Sequence, residues 1–377
     1  MTSAATKSPA RSGGKIFFAL LSLLVAVGIY ASYLRFSRGL GATTNLSDAV
    51  PWGLWIWFTL TRVALSAGGF VICAIFYVFR AEKFHAVTRA AVLTAFIGYG
   101  LVGLELIYDL GLPLHFWHPL IYWNWHSPML ETSWCIGLYF GVLGLEMSIP
   151  FTEGLGWKTF SSLLKNFCVA FAIAGATLST LHQSSIGTIF LISDGKLSPL
   201  WFSSWLPLLF FASALAGGTG FLILELFLAQ KFLAWEFPKN LVQTFGRLLL
   251  GMLGFYLLLW LADFTRAHKW GLLADDWRAS AWLALEMLPG VLLPLILLGF
   301  RKVRESAFGV RLCALLAVFG LFLNRLNVTV VGFILESHAR YFPSWQEFAI
   351  TLMILSIGLI FFIAAARRLP IFSAPPR

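Results

Sequence analysis

The 377-residue chain is 59% apolar and only 12% charged, where ordinary soluble domains run near ~25% charged; a water-soluble globular protein is excluded. Its formal charge is +10, with no basic stripe of interleaved aromatics, so the excess points to the cytoplasmic loops of a membrane protein and not to nucleic acid. Mean hydropathy is +0.82, and the expected class is an all-α integral membrane protein.

A membrane-crossing helix needs about 20 apolar residues. Ten segments qualify: 16–34, 54–79, 88–110, 130–149, 166–192, 203–229, 244–264, 280–299, 308–326 and 347–366. The first follows a polar start carrying Lys7, Arg11 and Lys15. Its apolar run is long for a signal peptide and no A-x-A site follows, so a retained anchor is expected. Most Lys and Arg lie at the two termini and in the loops after spans two, four, six and eight, as in Arg80, Lys83, Arg89, Lys158, Lys165, Lys231, Lys239, Arg301, Lys302, Arg304, Arg367, Arg368 and Arg377. The positive-inside rule then puts both termini in the cytoplasm. The other face gathers Trp52, Trp55, Trp117, Tyr122, Trp123, Trp125, Trp201 and Trp205, as an aromatic belt or a docking surface.

The chain aligns with itself at an offset of about 150 residues. Ala67-Gly68-Gly69 lies over Ala216-Gly217-Gly218, Asp109 over Asp263, and Glu131 over Glu286. Leu181-His182-Gln183-Ser184-Ser185 lies over Leu326-Asn327-Val328-Thr329-Val330. A four-span offset preserves orientation. The expectation is one transmembrane domain, 1–377, with parallel repeats over 54–192 and 203–332, two four-helix bundles flanked by spans one and ten. The small residues allow helix backbones to approach closely.

Ionisable residues inside a span cost about 2.5–3.5 kcal/mol on insertion scales and are candidates by default. Arg62, Glu105, Asp109, Glu131, His182, Asp263, Glu286 and Arg325 fall in the periplasmic half of this topology, Glu146 and Glu225 toward the cytoplasm, and Tyr99 near mid-depth. Internal ion pairs that fix helix packing are the alternative for any one of them. Cys73, Cys135, Cys168 and Cys313 stand alone, with no CxxC or CxxCH, which argues against an iron–sulfur cluster or attached haem. His182 is the one histidine well inside a span. A bis-histidine haem needs two, so a cytochrome b is disfavoured, while Gln183, Ser184 and Ser185 beside it form a polar patch able to hold a quinone oxygen.

Pro51-Trp52-Gly53-Leu54-Trp55-Ile56, Ala67-Gly68-Gly69-Phe70, Asp109-Leu110-Gly111 with Pro113, Ser127-Pro128-Met129, Glu131 before Cys135, and Leu181-His182-Gln183-Ser184-Ser185 resemble the NrfD/PsrC-like family of membrane subunits. The ten spans and Tyr341-Phe342-Pro343-Ser344-Trp345-Gln346-Glu347 are most similar to its HybB branch, the membrane subunit of periplasm-facing [NiFe] hydrogenase complexes. The resemblance implies a haem-free subunit in the bacterial inner membrane. Such a subunit exchanges electrons between menaquinone or ubiquinone and a periplasmic, ferredoxin-like iron–sulfur subunit, which serves a catalytic subunit such as a [NiFe] hydrogenase. Some relatives couple this to proton translocation. It carries over Asp109 and His182, with Gln183 and Ser185, as quinone ligands, and Tyr99, Glu131 and Glu225 as a proton path. The chain departs from the family pattern at Leu112, where many relatives have Arg, and at Thr59, where they have an acid. That leaves the ligand details open.

Quinol chemistry needs a hydrogen-bond partner at each oxygen and a group that exchanges protons. Asp109 at a helix end and His182 fit those roles, with Glu131, Tyr99 and Glu225 relaying protons. A secondary transporter shares the repeats and buried charges, and a passive membrane anchor is the third reading. The off-centre polar cluster and the motifs favour the redox subunit.

Overall fold

A computed structural model describes residues 10–75, 85–232 and 239–371. Lys7, Arg80, Lys83 and Arg377, all counted in the charge bias, lie outside the described residues, as does the predicted end of span two. Helices dominate, and no strand occurs among the described residues. The ten long elements are α1 (Ala10–Arg38), α2 (Leu54–Cys73), α3 (His85–Asp109), α4 (Pro128–Gly154), α5 (Cys168–Ile189), α6 (Leu206–Phe232), α7 (Lys239–Arg266), α8 (Trp277–Gly299), α9 (Ala307–Ser337) and α10 (Trp345–Arg368). Nine are long and apolar enough to cross a membrane unaided. The segment Lys158–Lys165 joins Cys168–Ser193 at a 57° bend, and as one span this pair makes the tenth. The protein is a multi-pass, all-α membrane protein.

The elements pack in two groups of four. The first holds α2, α3, α4 and α5; the second holds α6, α7, α8 and α9. The groups meet mainly where α2 crosses α6. A Cβ on Gly68 would fall on the carbonyl of Gly218, and one on Gly218 would fall on the backbone nitrogen of Gly68. Only glycine lets these backbones come so close, the small-residue packing by which helices associate in lipid. Spans one and ten stand outside both groups. α1 packs on α10, which leans on α3 and α2.

Most helix ends extend past the predicted apolar runs, because polar flanks still satisfy their backbone hydrogen bonds within the helix. The largest difference is span nine. Its apolar run ends near Leu326, yet the helix continues to Ser337 through a π-helical turn at Asn327–Val331. Arg325, Asn327 and Thr329 look like a polar terminus in sequence, but all three are buried. β-Branched side chains crowd the helix there, at Val328, Thr329, Val330 and Val331. A second π turn, Leu288–Leu292, sits in α8. Pro289 within it lacks an N–H and clashes with the preceding turn, which the wider turn relieves.

Candidate functional site

In the first bundle, α5 carries His182, fully buried, with neither ring nitrogen hydrogen-bonded. The ring of Tyr99 on α3 lies 5.5 Å from it, and that of Tyr139 on α4 lies 4.5 Å from Tyr99, edge to face. Both tyrosine hydroxyls and the hydroxyl of Ser179 are buried without a hydrogen-bond partner. Ser179 approaches both tyrosines but is in bonding geometry with neither. An unsatisfied buried polar group costs about 1–3 kcal/mol. Five such atoms from three helices around one point mark a place completed by a ligand or by water.

The four sequence-predicted quinone ligands do not share one surface. Gln183 Nε2 donates to the carbonyl of Val63 at 3.0 Å, tying α5 to α2. Ser185 donates to Glu131 Oε1 at 2.6 Å and to Leu181 at 2.8 Å. Asp109 ends α3 ten residues beyond Tyr99, roughly 15 Å along the helix at 1.5 Å per residue. It therefore occupies a separate, outer level, and its neighbouring charges include Arg35, Glu347 and Glu105.

The proposed proton carriers line up differently. Tyr99 belongs to the His182 cluster. Glu131 is exposed in the first turn of α4, where a helix N-terminus favours an acid. Glu225 on α6 is buried and accepts from Thr94 of α3, just over a turn below Tyr99, and its second oxygen has no partner. Glu146 lies two turns below Tyr139 and shares with it a cavity of about 10 Å³, one water's worth.

Sequence reasoning left three things out of the site. Arg62 and Glu105 form a buried ion pair, to which Thr59 adds a hydrogen bond at 2.7 Å. It stands between the His182 and Asp109 levels, and the departure at Thr59 is thus a hydroxyl serving the acid of a neighbouring helix. Thr59, Arg62 and Glu105 were each visible in the sequence; that helix packing joins them was not. Tyr139 and Ser179 look like core in a sequence scan. Arg35 donates Nε to the carbonyl of Tyr108 at 2.9 Å and a guanidinium nitrogen to that of Leu110 at 2.6 Å, so span one caps the helix end that carries Asp109.

In the second bundle the two buried acids are held by neighbouring side chains. Glu286 accepts from Trp201 Nε1 at 3.1 Å and from Asn324 and Asn327, each at 2.8 Å. Asp263 accepts from Ser203 at 2.6 Å, Arg266 at 3.1 Å and Lys269 at 3.4 Å. Lys269 lies beyond the end of α7, where His268 takes a left-handed φ of 53° and turns the chain back over the helix end. Burial pushes the Lys269 ammonium below the ordinary lysine range, opposed by Asp263. No group of three potential metal ligands occurs among the described residues.

Residues 42–335 match the family described as Polysulphide reductase, NrfD. The chain belongs to the NrfD family. Among its relatives is a protein of Nitratidesulfovibrio vulgaris, 37% identical over 95% of this chain and 94% of the relative. A second is the probable Ni/Fe-hydrogenase 2 b-type cytochrome subunit of Escherichia coli, 30% identical over 98% of this chain and 95% of its own length. A third is the integral membrane subunit of menaquinone reductase from N. vulgaris, 29% identical over 95% and 91%.

Proposed function

We propose that this NrfD-family protein is the quinone-reactive membrane subunit of a respiratory oxidoreductase complex, binding a menaquinone or ubiquinone head group in the first bundle. The observation that carries the reading is the unpartnered, fully buried His182 imidazole beside the free hydroxyls of Tyr99 and Tyr139. A quinone presents two oxygens that need donors in one oxidation state and acceptors in the other. A neutral imidazole has one nitrogen of each kind, and a tyrosine hydroxyl does both. The outer level of Asp109, Arg62 and Glu105 adds charge between this cluster and the membrane surface. In the second bundle the buried carboxylates of Glu286 and Asp263 are already engaged by side chains and have less to offer a head group, although the two bundles read as repeats of one unit.

The names of the relatives support a partner reading as well. A hydrogenase subunit and a menaquinone reductase subunit favour electron exchange with a periplasmic iron–sulfur subunit serving a catalytic subunit, with a [NiFe] hydrogenase as the leading candidate. A bis-histidine haem would need a partner for His182 at equal depth, so the reading is haem-free. The charge bias favours the bacterial inner membrane with both termini cytoplasmic, which puts Asp109 on the periplasmic side. On quinol oxidation, His182 accepts a proton at its free nitrogen, and Ser185 and Glu131 connect its level to the exposed surface. Tyr99, Thr94 and Glu225 extend the polar line toward the cytoplasmic side, a route for coupled proton movement.

The test is a fluorescence-quench titration of the detergent-purified protein with a quinol analogue. Saturation near one site per chain, weakened by His182→Ala and by Tyr99→Phe, supports the reading. Saturation untouched by either change moves the site elsewhere, with Asp109→Asn next in line. Absence of saturable binding sinks the quinone assignment.

A further inference from the structure

The second bundle contains a buried polar site that electron exchange in the first does not use. Its centre is Glu286, 2% exposed, on the turn of α8 that precedes the π-helical segment. Asn324 donates to the Glu286 carboxylate and accepts from Arg325 at 2.5 Å. It thus bridges an anion and a cation, and Arg325 also holds Ser213 at 3.0 Å and the Phe210 carbonyl at 3.2 Å.

Two small cavities meet at this carboxylate. The first has a water-sized space of about 20 Å³ and is lined in part by Trp201, Tyr256, Asp263, Lys269, Glu286 and Asn324. The second, also about 20 Å³, is lined in part by Ser213, Tyr256, Glu286, Gly290, Gly320 and Asn324. Each holds about one water. Tyr256, Glu286 and Asn324 face both. The Tyr256 side chain is 5% exposed, and a tyrosine hydroxyl can donate or accept a hydrogen bond. On α9 next to Asn324, Arg325 Nε and Asn327 Oδ1 are buried and unpartnered, outside the two cavity linings. A carboxylate, a side-chain amide and a hydroxyl that can donate or accept thus line both spaces of molecular-water size, and water is a ligand that can bond to all three.

We propose that the second bundle binds a short chain of ordered waters around Glu286 and Tyr256, and that this chain passes protons between the Glu286 carboxylate and the Asp263–Lys269 pair at the end of α7. The titratable and charged groups facing Glu286 are Tyr256 from α7, Arg325 from α9, and Asp263 with Lys269 at the mouth. A proton reaching a Glu286 oxygen leaves the Lys269 ammonium, which regains one from bulk water; no other bond changes. Arg266, about half exposed and paired with Asp263, marks the mouth. At the inner end Gly290 and Gly320 bring α8 and α9 into backbone contact, so the path stops inside the membrane as a one-sided inlet.

Two measurements on the full chain in lipid nanodiscs test this without any quinone. The first is X-ray radiolytic labelling read by mass spectrometry, which modifies side chains next to bound water. Tyr256 is expected to label several-fold faster than Phe190 and Phe333, which are also buried and line neither cavity. Equal, slow labelling of all three overturns the proposal. The second is infrared titration in D₂O, comparing the native chain with Glu286→Gln. A pH-dependent carboxyl band that exchanges with deuterium and vanishes in the variant supports proton exchange at Glu286. A native spectrum without a band the variant removes refutes it. The labelling result uses the native chain alone, so it decides even if the variant fails to fold. Success here with no quinol binding would leave the inlet standing and overturn only the quinone reading.

Discussion

At the scale of single residues, what matters is whether a buried polar group already has its partner. Arg62 and Glu105 are paired: each supplies the other's counter-charge in a place with little water. Removing one partner of a buried pair typically costs about 3–5 kcal/mol, whereas replacing both by apolar residues is often near neutral. Arg62→Met should therefore lower thermal stability sharply, and Arg62→Met with Glu105→Leu should recover most of it; a double variant no better than the single would show that the pair does more than balance charge. His182 is unfinished, and there the order reverses. His182→Leu should cost little stability, because no hydrogen bond of its ring is lost, yet it should weaken quinol-analogue binding. For the relay, Glu225→Gln should reduce proton uptake coupled to quinol turnover in proteoliposomes while binding of the analogue persists. Lost binding would instead place Glu225 in the head-group site.

Among the elements, close backbone approach and helix-end chemistry hold the arrangement. The α2–α6 crossing joins the bundles through Gly68 and Gly218. A larger side chain there meets backbone, which cannot rotate away as a flexible side chain can. Gly68→Leu should destabilise at or beyond the upper end of the about 1–3 kcal/mol seen for overpacking, visible as early loss of monodispersity on heating. Gly251→Ala, in a helix face with open space around it, is the control and should be silent or slightly stabilising. Arg35 works at longer range, since span one reaches across to close the carbonyl end of α3 beside Asp109.

For the molecule as a whole, spans one and ten act as a brace. Tyr341, in the segment before α10, donates to Glu347 Oε2 at 2.5 Å and accepts the backbone N–H of Leu54 at 2.8 Å. Glu347 also closes a capping box with Ser344 and takes the backbone N–H of Asn45 at 3.1 Å. One phenol thus ties the starts of α2 and α10 together. Burial and the neighbouring Glu347 carboxylate raise the Tyr341 pKa above its ordinary value of 10.0. A group whose folded pKa is raised holds its proton more tightly in the native state, so its stabilisation is complete below pH 10 and falls as pH rises beyond it. The Tm of the native chain should therefore decline above pH 10. Tyr341→Phe should start from a lower Tm at neutral pH and decline less steeply; parallel curves would show that another group sets the alkaline limit.

Composition and apolar run length alone determined that this chain lives in a membrane, because about 20 consecutive apolar residues have no other stable solvent. The glycine pairs at positions 68 and 218 were legible as close-packing sites, since lipid leaves little else to bring helices together. His182 and Tyr99 were legible as candidates because polar groups inside a span are expensive. Their grouping with Tyr139 and Ser179 was not, for it depends on helix rotation, which one-dimensional spacing does not encode. Nor could spacing show that Gln183 is engaged by Val63, that Asp109 stands at a separate level, or that α9 continues through a polar stretch that reads as its end. Those were decided by tertiary packing: a buried hydrogen-bonding group takes whichever partner the neighbouring helix brings within about 3 Å, and that choice sets which groups stay free for a ligand.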